Sequence, residues 1–186
     1  MTLSASDVSA VVVTRGDVPL DDVLEPLSIY GEVIVADNSK LPVDLGIYAR
    51  FDAMAYAKFP IIYTQDDDIV FRNHEELLAH YKPGVLVTAY PQPCDNDIPW
   101  ISTGAIFDKS LVRPAFQKYL QHFPFDHFMT HKAADAIFCL LTEKVEVHPM
   151  PYEELAWAVA DNRVHTSEGW YERDRPEARD RCLRIK

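Results

Sequence analysis

The sequence predicts an α/β fold in which a mostly parallel central sheet is flanked by helices. Three observations carry this. Short, β-branched apolar runs alternate with helical segments through residues 1–90. The first three of these runs end in polar clusters, as strands of open α/β sheets do where they meet ligands. No internal repeat, low-complexity stretch or linker divides the 186 residues, so the chain is read as one domain with one core.

Residues 8–14 (VSAVVVT) are short and β-branched and predict a buried strand. Residues 20–30 predict a helix, with Val23, Leu24 and Leu27 on one face. Residues 32–36 (EVIVA) predict a second buried strand, and 46–57 (GIYARFDAMAYA) a helix. Residues 61–63 (IIY) predict a third strand that runs into Asp66, Asp67 and Asp68. A helix follows over 73–81, where Asn73 is placed to cap and Glu76 stands at the capping-box position. Residues 85–89 (VLVTA) predict a fourth strand. Beyond it come a proline-rich loop (90–99), an apolar run (102–107), helices around 111–120 and 133–141, and a strand over 145–148.

Composition excludes several classes. The net charge of −11, from 18 basic and 29 acidic residues, disfavours a broad surface that tracks nucleic-acid phosphates. Cys94, Cys139 and Cys182 are odd in number and widely spaced, which fits neither a disulfide framework nor a thiolate zinc site. No apolar run is long enough for a transmembrane segment, and the N-terminus lacks signal-peptide regions, so a cytoplasmic location is expected. The basic residues crowd toward the end, from Arg163 through Lys186, where a solvated helix end is the plain reading.

Three polar clusters fall at predicted strand ends: residues 14–17 (TRGD), 37–39 (DNS) and 65–68 (QDDD). If the strands are neighbours, the clusters converge on one crevice. The triple aspartate is the sharpest feature. Adjacent carboxylates repel, and a hard divalent cation whose oxygen shell is completed by a diphosphate removes that cost. The alternative is a solvated turn in which Asp68 caps the following element.

Residues 57–69 (AKFPIIYTQDDDI) resemble the D-x-D region of GT-A glycosyltransferases, particularly the exostosin-like group. Further segments agree in order. Residues 11–15 (VVVTR) resemble the strand that contacts the nucleobase, and 32–39 (EVIVADNS) the strand whose terminal Asp and Asn lie near the nucleoside. Residues 102–107 (STGAIF) resemble the T-G-A-x-F segment beside the donor sugar, and 133–141 (AADAIFCLL) the acidic motif. There Asp135 holds the Asp position, while Ala134 stands where Glu is usual. The resemblance spans roughly residues 8–165.

It implies a single-domain GT-A (Rossmann-like) fold, with a nucleotide-binding half near 8–90, an acceptor and catalytic half near 91–165 and a basic tail at 166–186. The donor would be a UDP- or GDP-linked sugar, met by Thr14, Arg15, Asp37, Asn38, Arg50, Asp66, Asp67, Gly104 and Arg163. Mn²⁺ or Mg²⁺ would be held by Asp68, Asp66 and a late histidine, His165 first and His148 second. Asp135 would be the catalytic base of an inverting enzyme, or would position acceptor and sugar in a retaining one. The acceptor is open: glycan, protein, lipid or modified base. The tail would fold back over the diphosphate as a lid, with Arg163 or Arg173 on phosphate oxygens.

Other readings stay beside these. Arg50 is equally a plain surface residue, Trp100 either stacks on a sugar or fills the core, and Asp135 can simply complement a helix N-terminus. His127 and His131 would share a helix face without the Glu of a metalloprotease, so they are acceptor-side or structural. Residues 66–70 (DDDIV) also fit the D-x-D-x-[T/V] motif of haloacid-dehalogenase-like phosphatases, with Asp66 as nucleophile and Lys109 or Lys118 as the later lysine. A second D-D is absent downstream, and two α/β units precede the motif. A nucleotidyltransferase would need a glycine-rich loop where only Gly16 stands. A nucleotide-sugar-binding protein without turnover is the remaining alternative.

Overall fold

The computed structural model describes residues 3–90, 98–124, 127–156 and 173–186. Eight strands and seven α-helices are described, in the order β1 (Val8–Thr14), α1 (Asp21–Leu24), β2 (Glu32–Asp37), α2 (Ala49–Ala55), β3 (Ile61–Asp66), β4 (Ile69–Phe71), α3 (His74–His80), β5 (Leu86–Thr88), β6 (Ala105–Asp108), α4 (Val112–His122), α5 (His127–Lys132), α6 (Ala134–Leu141), β7 (Val145–Val147), β8 (Tyr152–Glu154) and α7 (Arg175–Ile185). The main sheet has the order β2-β1-β3-β6-β5-β7. Only β6 runs antiparallel to its neighbours in that sheet. The architecture is the predicted one, a mostly parallel α/β sheet flanked by helices. No described helix is long and apolar enough to cross a membrane.

β1 is central because both of its faces are apolar. Val8, Ala10 and Val12 enter one core, and Val11 the other. On the Val11 side, Ile62, Leu86 and Phe107 of the sheet meet Phe51 and Met54 of α2, Phe116 and Tyr119 of α4, and Phe138 of α6. On the other side, Tyr63, Val87 and Ile106 meet Val23, Leu27, Leu77 and Phe71. Each fully buried large side chain contributes about 1.5–3 kcal/mol. Ser9, the polar residue inside β1, is satisfied across the sheet: its hydroxyl donates to Glu32 at 2.5 Å and accepts from Phe59 N at 3.1 Å.

Several expectations change. The helix expected over 20–30 breaks into α1 and a 3-10 turn at Pro26–Ile29, because Pro26 has no N–H to continue the ladder. β2 is an edge strand with Val33 and Val35 exposed, so it is half-buried. Asn73 occupies the cap position of α3, but its side chain makes no capping bond. β4 and β8, which form a separate two-stranded sheet, were not foreseen.

The largest change concerns the chain's end. α6 is buried at every residue. A helix apolar on all sides but for one Asp must be covered all round, and α7 supplies one cover, packing on α6 with Ala178 and Cys182 fully buried. Through Arg175, Ala178 and Cys182, α7 is packed onto the core as a fixed helix rather than lying over the cleft as the expected lid. Lys132 and Asp174, 3.0 Å apart, tie the start of this segment to α5.

At the end of β1 the chain turns through Gly16 at φ +79°, and a Cβ there would run into Ser39 Oγ and Asp37 Oδ1. Gly16→Ala is thus expected to destabilise the fold by about 1–3 kcal/mol, read as a lowered denaturation midpoint with an unchanged slope. A midpoint equal to wild type would contradict this close approach.

Candidate functional site

The parallel register sets Thr14 beside Asp37 and Val13 beside Asp66, so the ends of β1, β2 and β3 lie side by side. A cleft of about 350 Å³ opens there. Thr14, Arg15, Asn38, Arg50, Asp66, Asp67 and Asp68 line it, together with Val13, Asp44, Gly46 and Ile47. Seven of the residues expected from sequence are thereby brought to one place.

The triple-aspartate turn is pinned from several sides. Asp66 N donates to Ser102 O and Leu155 N donates to Asp68 O, both at 2.8 Å. Gln65, fully buried, spans the turn: it accepts from the Tyr63 hydroxyl at 2.6 Å and donates to the Ile69 carbonyl at 2.6 Å. The carboxylates therefore sit on a fixed turn rather than a solvated one. Gln65 as a clasp was not legible in the sequence, because its partners depend on the tertiary fold.

The wall is built by Asn38. Its amide donates to Gly46 O at 3.0 Å and Thr14 O at 3.4 Å, and its Oδ1 accepts from Leu45 N at 3.0 Å. Asn38 thus ties three loops together. Asp44, missed by the sequence reading, accepts from Gly46 N at 2.8 Å and so shapes the same wall. Its spacing two residues before a glycine is the available signal, that of an Asx turn. Arg15 forms an ion pair with Asp17 at 2.8 Å.

Behind the aspartates lies Arg50, 1% exposed. Its Nη2 donates to Asp66 Oδ1, and its Nε lies 3.5 Å from Asp135 Oδ1. The surface reading of Arg50 is overturned: α2 buries it against the sheet, and the two carboxylates balance its charge. Asp135 is 3% exposed and does not line the cleft. The base role expected of it requires contact with an acceptor, and Arg50 stands between Asp135 and Asp66. Burial pushes the Asp135 carboxyl up to about 7, with Arg50 pulling the other way and Asp66 adding to the rise.

Other expected residues lie elsewhere. Asp37 is occupied as a turn cap, accepting from Ser39 N at 3.0 Å and pairing with Lys40 at 2.8 Å. Gly104 packs at φ +126° against Tyr63 and Phe71, outside the cleft lining. His148 stacks on His80 with ring centroids 3.8 Å apart and lies 3.3 Å from Glu146, beside β7 at the sheet edge opposite β2. It cannot serve the cleft. His131 is buried and stacked on Tyr48, and Trp100 carries the Arg175 guanidinium 4.6 Å over its ring. Arg163 and His165 lie outside the described residues. Arg173 is paired with Asp174 at 2.7 Å and does not line the cleft. Among the described residues no group of three His, Cys, Asp or Glu side chains is placed to hold a metal ion.

No family model and no curated protein sequence matches the chain. Among solved structures it is similar to a crystal structure of S. aureus TarS 1–349 in complex with UDP, at 11% identity and a TM-score of 0.42, over 78% of this chain and 59% of that one. A second crystal structure of S. aureus TarS is similar at 13% identity and a TM-score of 0.43, over 81% and 37% of the two chains. The chain thus spans between 37% and 59% of the TarS chains it matches. Likeness at this level assigns no activity to the chain.

The buried Asp135 generates a pH dependence. Its folded pKa of about 7 lies above the ordinary aspartate value of 3.8, so the folded state holds a proton that the unfolded chain releases. That contribution is complete below about pH 4 and is lost as pH rises toward about 7, on the order of 1–3 kcal/mol. In chelator-containing buffer, the melting temperature of Asp135→Asn minus that of wild type should climb across this window and level off above it. A difference flat with pH would show that Asp135 ionises normally.

Proposed function

We propose that the chain is a GT-A type glycosyltransferase that moves a sugar from a nucleoside-diphosphate donor to an acceptor hydroxyl with the help of a divalent cation. The observation that carries the reading is the convergence of three strand-end loops on one cleft whose floor is the pinned turn Asp66-Asp67-Asp68. An α/β sheet with its ligand crevice beyond the carboxyl ends of β1, β2 and β3 is the arrangement such donors require.

The donor set suits Mn²⁺ or Mg²⁺. Asp66 and Asp68 offer hard oxygens, and Arg50 engages only Oδ1 of Asp66. Asp44, Asp66, Asp67 and Asp68 line the cleft against Arg15 and Arg50, leaving acidic charge in excess. No group of three such side chains is placed to hold a metal among the described residues, so most of the shell would fall to diphosphate and water oxygens. When bound, such a cation neutralises the charge that develops on the leaving nucleoside diphosphate.

This chain's own residues do the rest. Thr14 and Arg15 face the donor from the end of β1, and Asn38 and Asp44 hold the wall against which a nucleoside would lie. Gln65 keeps the aspartates from turning with the ligand. UDP or GDP as the nucleotide, and glycan, protein, lipid or modified base as the acceptor, are the classes to be screened.

The phosphatase reading loses its lysine. Lys109 Nζ donates to Ala57 O at 2.8 Å and Lys118 Nζ reaches Lys186 O at 3.5 Å, and neither lysine lines the cleft. Asp66, its nucleophile, is ion-paired with Arg50.

In calorimetry, UDP or GDP should bind about tenfold or more tightly with Mn²⁺ than with EDTA, and Asp68→Asn should remove most of that difference. Sugar donors should slowly release nucleoside diphosphate to water, which separates an enzyme from a binding protein. Equal affinity in EDTA would refute the cation site. Phosphomonoester hydrolysis lost in Asp66→Asn would install the phosphatase instead.

A further inference from the structure

We infer that Asp135 is a positioning residue that acts through Arg50: it draws the guanidinium back from the cleft, so that Arg50 takes one oxygen of Asp66 and leaves the other open to a cation. The inference rests on the proposed role of Asp66 and Asp68 as cation ligands.

An arginine that faces a single carboxylate tends to grip both oxygens with two parallel N–H donors. Arg50 does not do so. Its Nη2 bonds Oδ1 of Asp66, its Nε is turned toward Asp135 Oδ1 at 3.5 Å, and neither Nε nor Nη1 makes a hydrogen bond. The group is thus divided among anions, with Asp135 and Asp66 acting on it most strongly and Asp67 less, and it hydrogen-bonds only Asp66. Asp66 meanwhile keeps 31% of its side chain exposed on the cleft side.

The fold explains why Asp135 can hold this pull. It stands in the first turn of α6, a helix buried at every residue, so it has no route to water and no freedom to follow Arg50. Asp135 is absent from the cleft lining. A buried carboxylate outside the cleft lining that does not satisfy its partner by a hydrogen bond is poorly explained as a simple stabilising ion pair. Without Asp135, the unused donors of Arg50 would turn toward the aspartate turn, onto Asp66, its hydrogen-bonded partner, and its neighbour Asp67, and would compete with a cation for their oxygens.

The test is Mn²⁺ alone, titrated into the full chain at about pH 8 and followed by the free-Mn²⁺ electron paramagnetic resonance signal. Wild type should bind, and Asp68→Asn should not. Asp135→Asn should bind about 10–100-fold more weakly, the usual effect of removing a group that supports a metal ligand. The double variant Arg50→Gln/Asp135→Asn, which removes the competing guanidinium, should recover most of that loss. A merely structural role predicts the reverse, with the double variant as weak as the single one or weaker. Should Asp135→Asn fail to fold, Asp135→Glu keeps the charge and should bind like wild type; loss of binding there would count against the inference. Binding that disappears in Asp68→Asn but is unchanged in Asp135→Asn overturns this inference alone. No binding by wild type overturns the cation reading and this inference with it.

Discussion

The cleft depends on a guanidinium that the fold has taken out of water. Arg50 comes from α2, Asp66 from the end of β3 and Asp135 from α6, and their charges meet behind the cleft floor. Removing one member of such a buried set costs about 3–5 kcal/mol, because the other members are left uncompensated. The triad therefore fixes the placement of α2 and α6 over the sheet as much as it orients a carboxylate. It also explains why acidic residues can crowd a strand end: one of them is tied from behind, and the turn is clasped by Gln65 and pinned at both ends by backbone bonds to Ser102 and Leu155.

The rest of the molecule keeps Arg50 and Asp135 out of water. α6, apolar apart from Asp135, is buried at every residue, with α4 and α7 packed against it. Arg175 covers Trp100, and the ion pair of Lys132 with Asp174 closes the junction between α5 and α7. On the other side of the sheet, Tyr30 stacks on Tyr63 with ring centroids 4.9 Å apart and bonds His74 Nδ1 at 2.9 Å. Burial holds that imidazole neutral by lowering its pKa to about 4. Tyr63 passes the same rigidity to Gln65 and so to the aspartate turn.

Much of this was legible in the sequence, for local reasons. β1 and β3 announce themselves by β-branched runs, and the polar clusters that follow them line the cleft because parallel pairing brings strand ends into register. What was hidden depends on partners distant in the chain. Arg50 could be read as facing the nucleotide or as a plain surface residue, but its role as a buried counter-charge was hidden because its partners are 16 residues away and farther. β4 and β8 are three residues each, too short for a periodicity, and β8 (YEE) is polar. The core role of α7 was masked by its arginines, although Arg175, Ala178 and Cys182 recur at helical spacing and are its buried stripe. Asp37 and Gly104 fit a family pattern, yet one is consumed by a turn and the other by packing.

In the proposed function the aspartate turn receives a cation-bound nucleoside diphosphate. The most direct measurement is a crystal structure of the chain grown with Mn²⁺ and either UDP or GDP, with data collected at the manganese absorption edge. The account predicts an anomalous peak against the Asp66 and Asp68 carboxylates, with the diphosphate in the cleft between Arg15 and that turn. A nucleotide bound elsewhere, such as the groove between α4 and α7 lined by Arg173, Arg181 and Arg184, with no anomalous peak at the aspartates, would contradict it.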